Sequence, residues 1–246
     1  MSFLREVEFA EYMSPYEIGT SMISAIFDFD GVLVDSRPVI GICLAESFQE
    51  FGIDGPSQFE LSNLIGPPLE VGLSGFLTQR GLNTEVLSAI MTRFRDNYAV
   101  KSIQSTYLFP GIREMLYNLY SKNIPMYIAT SKPRFLTVPL IKELEIEEYF
   151  SMIQAPDGNV TEDKTETLRK LLCAISNSEI GSYRRFLMIG DREADIRAAR
   201  ENNTESIGVS WGYGTHDELL AAKPNYLAKT PHEVFQVLIA EQKKDY

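Results

Sequence analysis

The chain has 246 residues, 44% of them hydrophobic, enough for one domain or two around a substantial core. Its 34 acidic and 23 basic residues leave a net charge of −11, which disfavours nucleic acid or an anionic membrane as the main partner. An anionic substrate is not excluded, because a bound cation can reverse the sign of a local site. No apolar run reaches the roughly 18 residues of a membrane span. Residues 1–21 lack the apolar stretch of a secretory signal. The two cysteines, Cys43 and Cys173, have no C-x-x-C neighbour, so zinc and redox roles fail and both are expected as reduced thiols in helical cores of a cytoplasmic protein.

Residues 1–21 read as a tail that either packs on the body or is disordered. The first strand is expected over 24–29 in "SAIFDF", apolar on both faces as in a parallel strand covered from each side. Over 37–107 the sequence shows no convincing strand, only helix-like stretches at 39–51 and 84–100. "IGPPLE" at 65–70 and "LFPGI" at 108–112 punctuate this interval with glycine and proline. Strands then recur at 125–130, 149–155, 185–190, 205–210 and 225–228. Helix patterns of crossover length lie at 112–122, 134–144, 164–175 and 194–202. This alternation predicts an α/β fold, a doubly wound parallel (Rossmann-like) sheet built from 22–36 and 108–246, with a small helical domain, 37–107, inserted after the first strand.

"AIFDFDGVLVDS" sets two carboxylates, Asp28 and Asp30, where the first apolar run ends. At i and i+2 of an extended chain they share a face, with Cα atoms roughly 6.5 Å apart, and Gly31 permits a sharp turn and close backbone approach. Ligands of open α/β sheets collect at the carboxyl ends of strands. The same edge receives Thr130, Ser131 and Lys132 from "YIATSK", and Asp191, Arg192, Glu193 and Asp195 from "MIGDREAD". "TEDKTETL" adds Lys164 at a helix start. Carboxylates, a lysine and a hydroxyl at one sheet edge suit a hard cation with oxygen ligands and a phosphoryl group. A calcium loop is excluded, because Phe29, Val32, Leu33 and Val34 fill positions that such a loop keeps polar. Asp35 reads equally as a cap of the helix entering the insert and as a site residue. Lys132 and Arg192 read as partners in local ion pairs ahead of contacts to phosphate, and His216 as a solvated loop residue.

"DFDGVLVDS", "IATSK", Lys164 and "GDREAD", in that order and spacing, are similar to the four motifs of the haloacid dehalogenase-like (HAD) phosphatase superfamily. The insert resembles its C1 cap, and the similarity runs over 24–230. Within the superfamily "IGPPL" and "ATSKP" resemble the phosphoglycolate-phosphatase-like hydrolases. The resemblance implies that Asp28 is the nucleophile and forms an aspartyl-phosphate. It implies that Asp30 protonates the leaving alkoxide and then activates water. Mg²⁺ would be held by the Asp28 carboxylate, the Asp30 backbone carbonyl, Asp191 and Asp195. Thr130 and the amides after it, that of Ser131 among them, would grip phosphate oxygens, with Lys164 balancing charge and Gly31 letting the backbone come close. The cap would read the leaving group, with the Gly66-Pro67-Pro68 loop dipping towards it. A dehalogenase would leave Asp30 and Asp191 without a task. The expected activity is Mg²⁺-dependent hydrolysis of a small phosphorylated metabolite by a monomer or homodimer. Phosphoglycolate ranks ahead of a nucleoside 5'-monophosphate. A β-phosphoglucomutase-type mutase and an inactive phospho-ligand-binding protein stand as alternatives.

Overall fold

β1 (Ile23–Phe27) carries only buried residues, because it occupies the interior of a six-stranded sheet. In this computed structural model residues 23–57, 60, 61, 64, 69–158, 162–177 and 185–245 are described. The expected tail, 1–21, and the Gly66-Pro67-Pro68 loop lie outside the described residues. After β1 come β2 (Val34–Asp35), α1 (Arg37–Glu50), α2 (Leu69–Gln79), α3 (Leu87–Ser105) and β3 (Tyr107–Leu108). The chain continues through α4 (Ile112–Ser121), β4 (Met126–Ala129), α5 (Arg134–Glu143), β5 (Met152–Gln154), α6 (Lys164–Ser176) and β6 (Arg185–Gly190). It ends with α7 (Glu193–Glu201), β7 (Glu205–Val209), α8 (His216–Ala222), β8 (Tyr226–Ala228) and α9 (Pro231–Gln242).

The sheet order is β5-β4-β1-β6-β7-β8, and every pairing in it is parallel. Successive strand side chains point to opposite faces. Ala25, Phe27, Met126, Ile128, Leu187 and Ile189 pack on one side against Ile112 and Leu116 of α4, Leu140 of α5 and Leu238 of α9. Ile26, Tyr127, Ala129 and Met188 pack on the other against Leu168 and Leu171 of α6 and Ala198 of α7. Both faces are covered, which is why these strands read as unbroken apolar runs rather than alternating ones. The chain order reverses at β1, with β4 and β5 on one side and β6 to β8 on the other. A crevice for ligands therefore falls at the carboxyl ends of β1, β4 and β6.

Between β1 and the rest of the sheet stand α1, α2 and α3, which enclose an apolar cluster of their own. Leu44, Phe48, Leu73, Phe76, Leu77, Ile90 and Phe94 are among its members. The rings of Phe48 and Phe76 meet edge to face at 5.6 Å. The pairs Arg93–Glu50 and Lys101–Glu46 tie α3 to α1 along the solvent side. The two chain crossings into this helical unit pair as β2 and β3, antiparallel, with Val34 opposite Leu108 and Asp35 opposite Tyr107. That ribbon escaped the sequence reading because two-residue strands carry no periodicity.

α1 begins with Pro38 in its first turn, where a missing N–H costs nothing. Asp35 accepts the Arg37 N–H at 3.1 Å and clasps its guanidinium. α6 is capped by the Asp163 side chain, and α9 by the Thr230 hydroxyl, each on a backbone N–H. One expectation needs correcting. Cys43 is buried, but Cys173 is exposed, because Leu171 and Ile175 turn the core-facing side of α6 inward and leave the intervening position to solvent.

Candidate active site

Asp28 is the residue at which β1 runs out of sheet, its own N–H still bonded to Ile189 O at 2.9 Å. Its Oδ1 accepts the Phe29 N–H at 2.7 Å and meets Lys164 Nζ at 2.5 Å. Lys164 sits at the first position of α6 and donates to Ala129 O at 3.3 Å, while its ammonium lies 3.2 Å from Asp195 Oδ1. Asp191 follows β6 directly. Asp195 lies one turn into α7, where its Oδ2 accepts the Arg192 N–H at 3.1 Å. Asp195 is therefore both a helix-end acceptor and a member of the site.

Asp28, Asp191 and Asp195 each present a carboxylate oxygen within 4.8 Å of the others. Lys164 supplies one buried positive charge against three carboxylates. Burial pushes the Asp28 carboxyl up to about 7, the nearby Lys164 only partly opposing it. Burial likewise lifts Asp191 to about 8, reinforced by Asp195 and Asp28. Burial works against the Lys164 ammonium, but Asp195 and Asp28 override it and raise its pKa. Asp191 Oδ1 is buried and has no hydrogen-bond partner among the described residues. An orphaned carboxylate oxygen in an acidic cluster is what a hard divalent cation would satisfy, so the donor set fits Mg²⁺.

Glycine makes room for this convergence. Gly31 has φ +86, and a Cβ there would collide with the Asp191 carboxylate. Its N–H is engaged by Val34 O at 2.9 Å, so the glycine supplies space rather than a donor. A Cβ on Gly212 would also collide with the Asp191 side chain, and one on Gly214 with its backbone carbonyl, while Tyr213 N donates to Asp191 Oδ2 at 2.6 Å. Tyr213 Oη also accepts the Ser36 N–H at 2.8 Å, and its ring lies under the Arg37 guanidinium at 5.0 Å. The run "WGYG" at 211–214 thus builds one wall of the site.

Thr130 is buried at the end of β4, its hydroxyl oxygen accepting the Lys132 N–H at 3.1 Å, and Ser131 is half-buried beside it. Asp30 stands apart from the carboxylate trio. Its Oδ1 accepts from Ser36 Oγ at 2.5 Å, and both of its oxygens lie 3.2 Å from Lys132 Nζ. The structure thus brings Asp28, Lys164, Asp191 and Asp195 together. It sets Thr130, Ser131 and Asp30 along the same edge and makes Lys132 the partner of Asp30.

A buried carboxylate paired with a lysine, within an acidic trio at the switch point of a parallel sheet, is an arrangement suited to a hard cation and a phosphoryl group. The profile described as haloacid dehalogenase-like hydrolase matches residues 25–209, and the chain belongs to that family. It is an enzyme of the phosphoric monoester hydrolase class. It is similar to a 5'-nucleotidase of Pseudomonas aeruginosa, at 32% identity over 215 residues that cover 87% of this chain and 94% of that one. A phosphoglycolate phosphatase of Agrobacterium fabrum is 29% identical over 226 residues, covering 88% and 94%. Among solved structures, a haloacid dehalogenase-like hydrolase from Streptococcus pneumoniae superposes with a TM-score of 0.77 at 30% identity, covering 88% of this chain and 98% of that one.

Proposed function

We propose that the protein hydrolyses a small alkyl phosphomonoester through a phosphorylated Asp28, with Mg²⁺ bound by Asp28, the Asp30 carbonyl, Asp191 and Asp195. The observation that carries this reading is the convergence of Asp28, Asp191 and Asp195 within 4.8 Å beside a single lysine. Bound there, the cation would cancel excess carboxylate charge and polarise a phosphoryl oxygen. Asp28 attacks phosphorus, and the bond from phosphorus to the leaving alkoxide breaks as Asp30 supplies that oxygen with a proton. Asp30, now a carboxylate, takes a proton from water. The water oxygen displaces Asp28 from phosphorus, releasing inorganic phosphate and the free aspartate. Thr130 and the Ser131 amide hold phosphate oxygens, and Lys164 compensates charge on the phosphoryl group and on Asp28. Helices α1 to α3 serve as the cap that covers the leaving group and excludes water.

Phosphoglycolate is the first candidate substrate, and the phosphatase names among the relatives support it. The higher identity of the Pseudomonas relative favours nucleoside 5'-monophosphates as a second reading. A phosphate-release screen with Mg²⁺ over phosphoglycolate, AMP, UMP and hexose phosphates decides between them, stoichiometric release also setting a hydrolase apart from a mutase. Asp28→Asn is expected to fold, to melt cooperatively and to release no phosphate. Wild-type release by that variant removes Asp28 as the nucleophile.

A further inference from the structure

Asp30 does its work, on the reading above, at the leaving-group oxygen and at the attacking water, so its carboxylate must be aimed. What aims it comes from three other parts of the chain. Ser36, at the entry to α1, donates to Oδ1 at 2.5 Å. Lys132, in the loop after β4, bridges both oxygens at an equal 3.2 Å. The Lys132 ammonium then donates to Tyr98 Oη at 2.6 Å, and Tyr98 belongs to α3 in the helical unit.

Neither Lys132 nor the tyrosine behind it is a surface residue. The Lys132 side chain is 7% exposed and Tyr98 is 3% exposed, its ring stacked on Phe94 at 5.4 Å. A solvated lysine–aspartate pair contributes little. Here the lysine end is buried while the Asp30 side chain stays 26% exposed, and engagement of both carboxylate oxygens by one buried ammonium restricts the carboxylate's orientation. Lys132 has no task in the acidic trio, which Lys164 already serves.

We infer that Lys132 is a positioning residue for Asp30, and that Tyr98 holds Lys132 in place so that the aim of the carboxylate depends on the seating of the helical unit. This rests on the acid/base role proposed for Asp30. A side chain 102 residues away in sequence thus joins the Asp30 loop to α3, bonding both Asp30 oxygens and Tyr98 Oη. Ser36 ties the same carboxylate to the entry of α1.

The test compares leaving groups. An alkoxide needs a proton as it departs, whereas p-nitrophenolate leaves without one, and kcat/KM reports steps up to and including that cleavage. Lys132→Met and Tyr98→Phe are assayed on p-nitrophenyl phosphate and on phosphoglycolate or AMP, whichever the release screen shows to be turned over, after thermal melts establish that each variant is folded. Lys132→Met is expected to lower kcat/KM on the alkyl ester by about a hundredfold to a thousandfold, within the range a positioned acid contributes, and to cost p-nitrophenyl phosphate far less. Tyr98→Phe gives the same contrast at smaller size. In an Asp30→Asn background Lys132→Met adds no further contrast. Equal losses on both esters, as substrate binding or mere structural support by Lys132 would produce, overturn the inference, as does no loss on either. A contrast confined to Lys132→Met removes Tyr98 from it. Asp30→Asn alone separates the two levels: if it shows no leaving-group contrast, the acid/base reading itself fails, and if it does while Lys132→Met does not, only the positioning role falls.

Discussion

At the scale of single residues, the site is shaped as much by absent side chains as by present ones. Gly31 follows Asp30 in a left-handed turn, and the space where its Cβ would stand is filled by the Asp191 carboxylate. Gly31→Ala therefore carries left-handed strain of about 1 kcal/mol and, more seriously, pushes Asp191 out of the trio. The expected result is a folded protein whose affinity for Mg²⁺, measured by calorimetric titration, falls by about 10–100-fold, as when the support of a metal ligand is lost. An alanine variant that binds the cation like wild type would show that the turn is not what seats Asp191. Asp28, Asp30 and Asp191 could be singled out before any coordinates, because carboxylates beside apolar strand residues have few uses other than chemistry. Lys132 could not. A lysine after a strand is ordinary, and its partner Asp30 is remote in sequence, so only the fold reveals the pair.

At the scale of elements, the strands that lie within the sheet were easiest to read, since burial on both faces writes a continuous apolar run. Boundaries drifted where polar ends join the ladder or leave it. The first strand was expected to end at 29 but closes at Phe27, which leaves Asp28 at the rim of the sheet, held there by its N–H alone. The helical unit was legible as a strand-free interval with two of its helices, the one at Leu69–Gln79 and the shared core going unread. That core is the unit's stability. Phe48 is fully buried and packs edge-on against Phe76. Phe48→Ala is expected to cost about 3–5 kcal/mol by lost transfer and cavity formation. Hydrogen exchange should show the loss first in α1 and α3 rather than in β1. Uniform loss of protection across the sheet would mean that the unit and the sheet unfold as one.

At the scale of the whole molecule, a negative protein concentrates buried carboxylates at one edge, and its stability should carry that signature. With Asp28 and Asp191 raised to about 7 and about 8 from an ordinary 3.8, the folded protein binds protons that the unfolded chain has released. Their contribution is fully present below about pH 4 and is lost as pH rises towards 8. A divalent cation requires those same groups deprotonated and offsets the loss. The rise in Tm on replacing EDTA with Mg²⁺ is therefore expected to be larger at pH 8 than at pH 5.5. An equal rise at both values, or none, would place the cation elsewhere. The sequence by itself determined the alternation of strands and helices and the sheet edge that gathers the acidic residues. Periodicity and the incompatibility of charge with a buried strand are local properties, written in neighbouring residues. Tertiary structure alone decided that Lys132 reaches Asp30, that Tyr98 ties both to the helical unit and that Gly212 and Gly214 close on Asp191. Those contacts join segments far apart in the chain, and nothing local distinguishes the residues that make them.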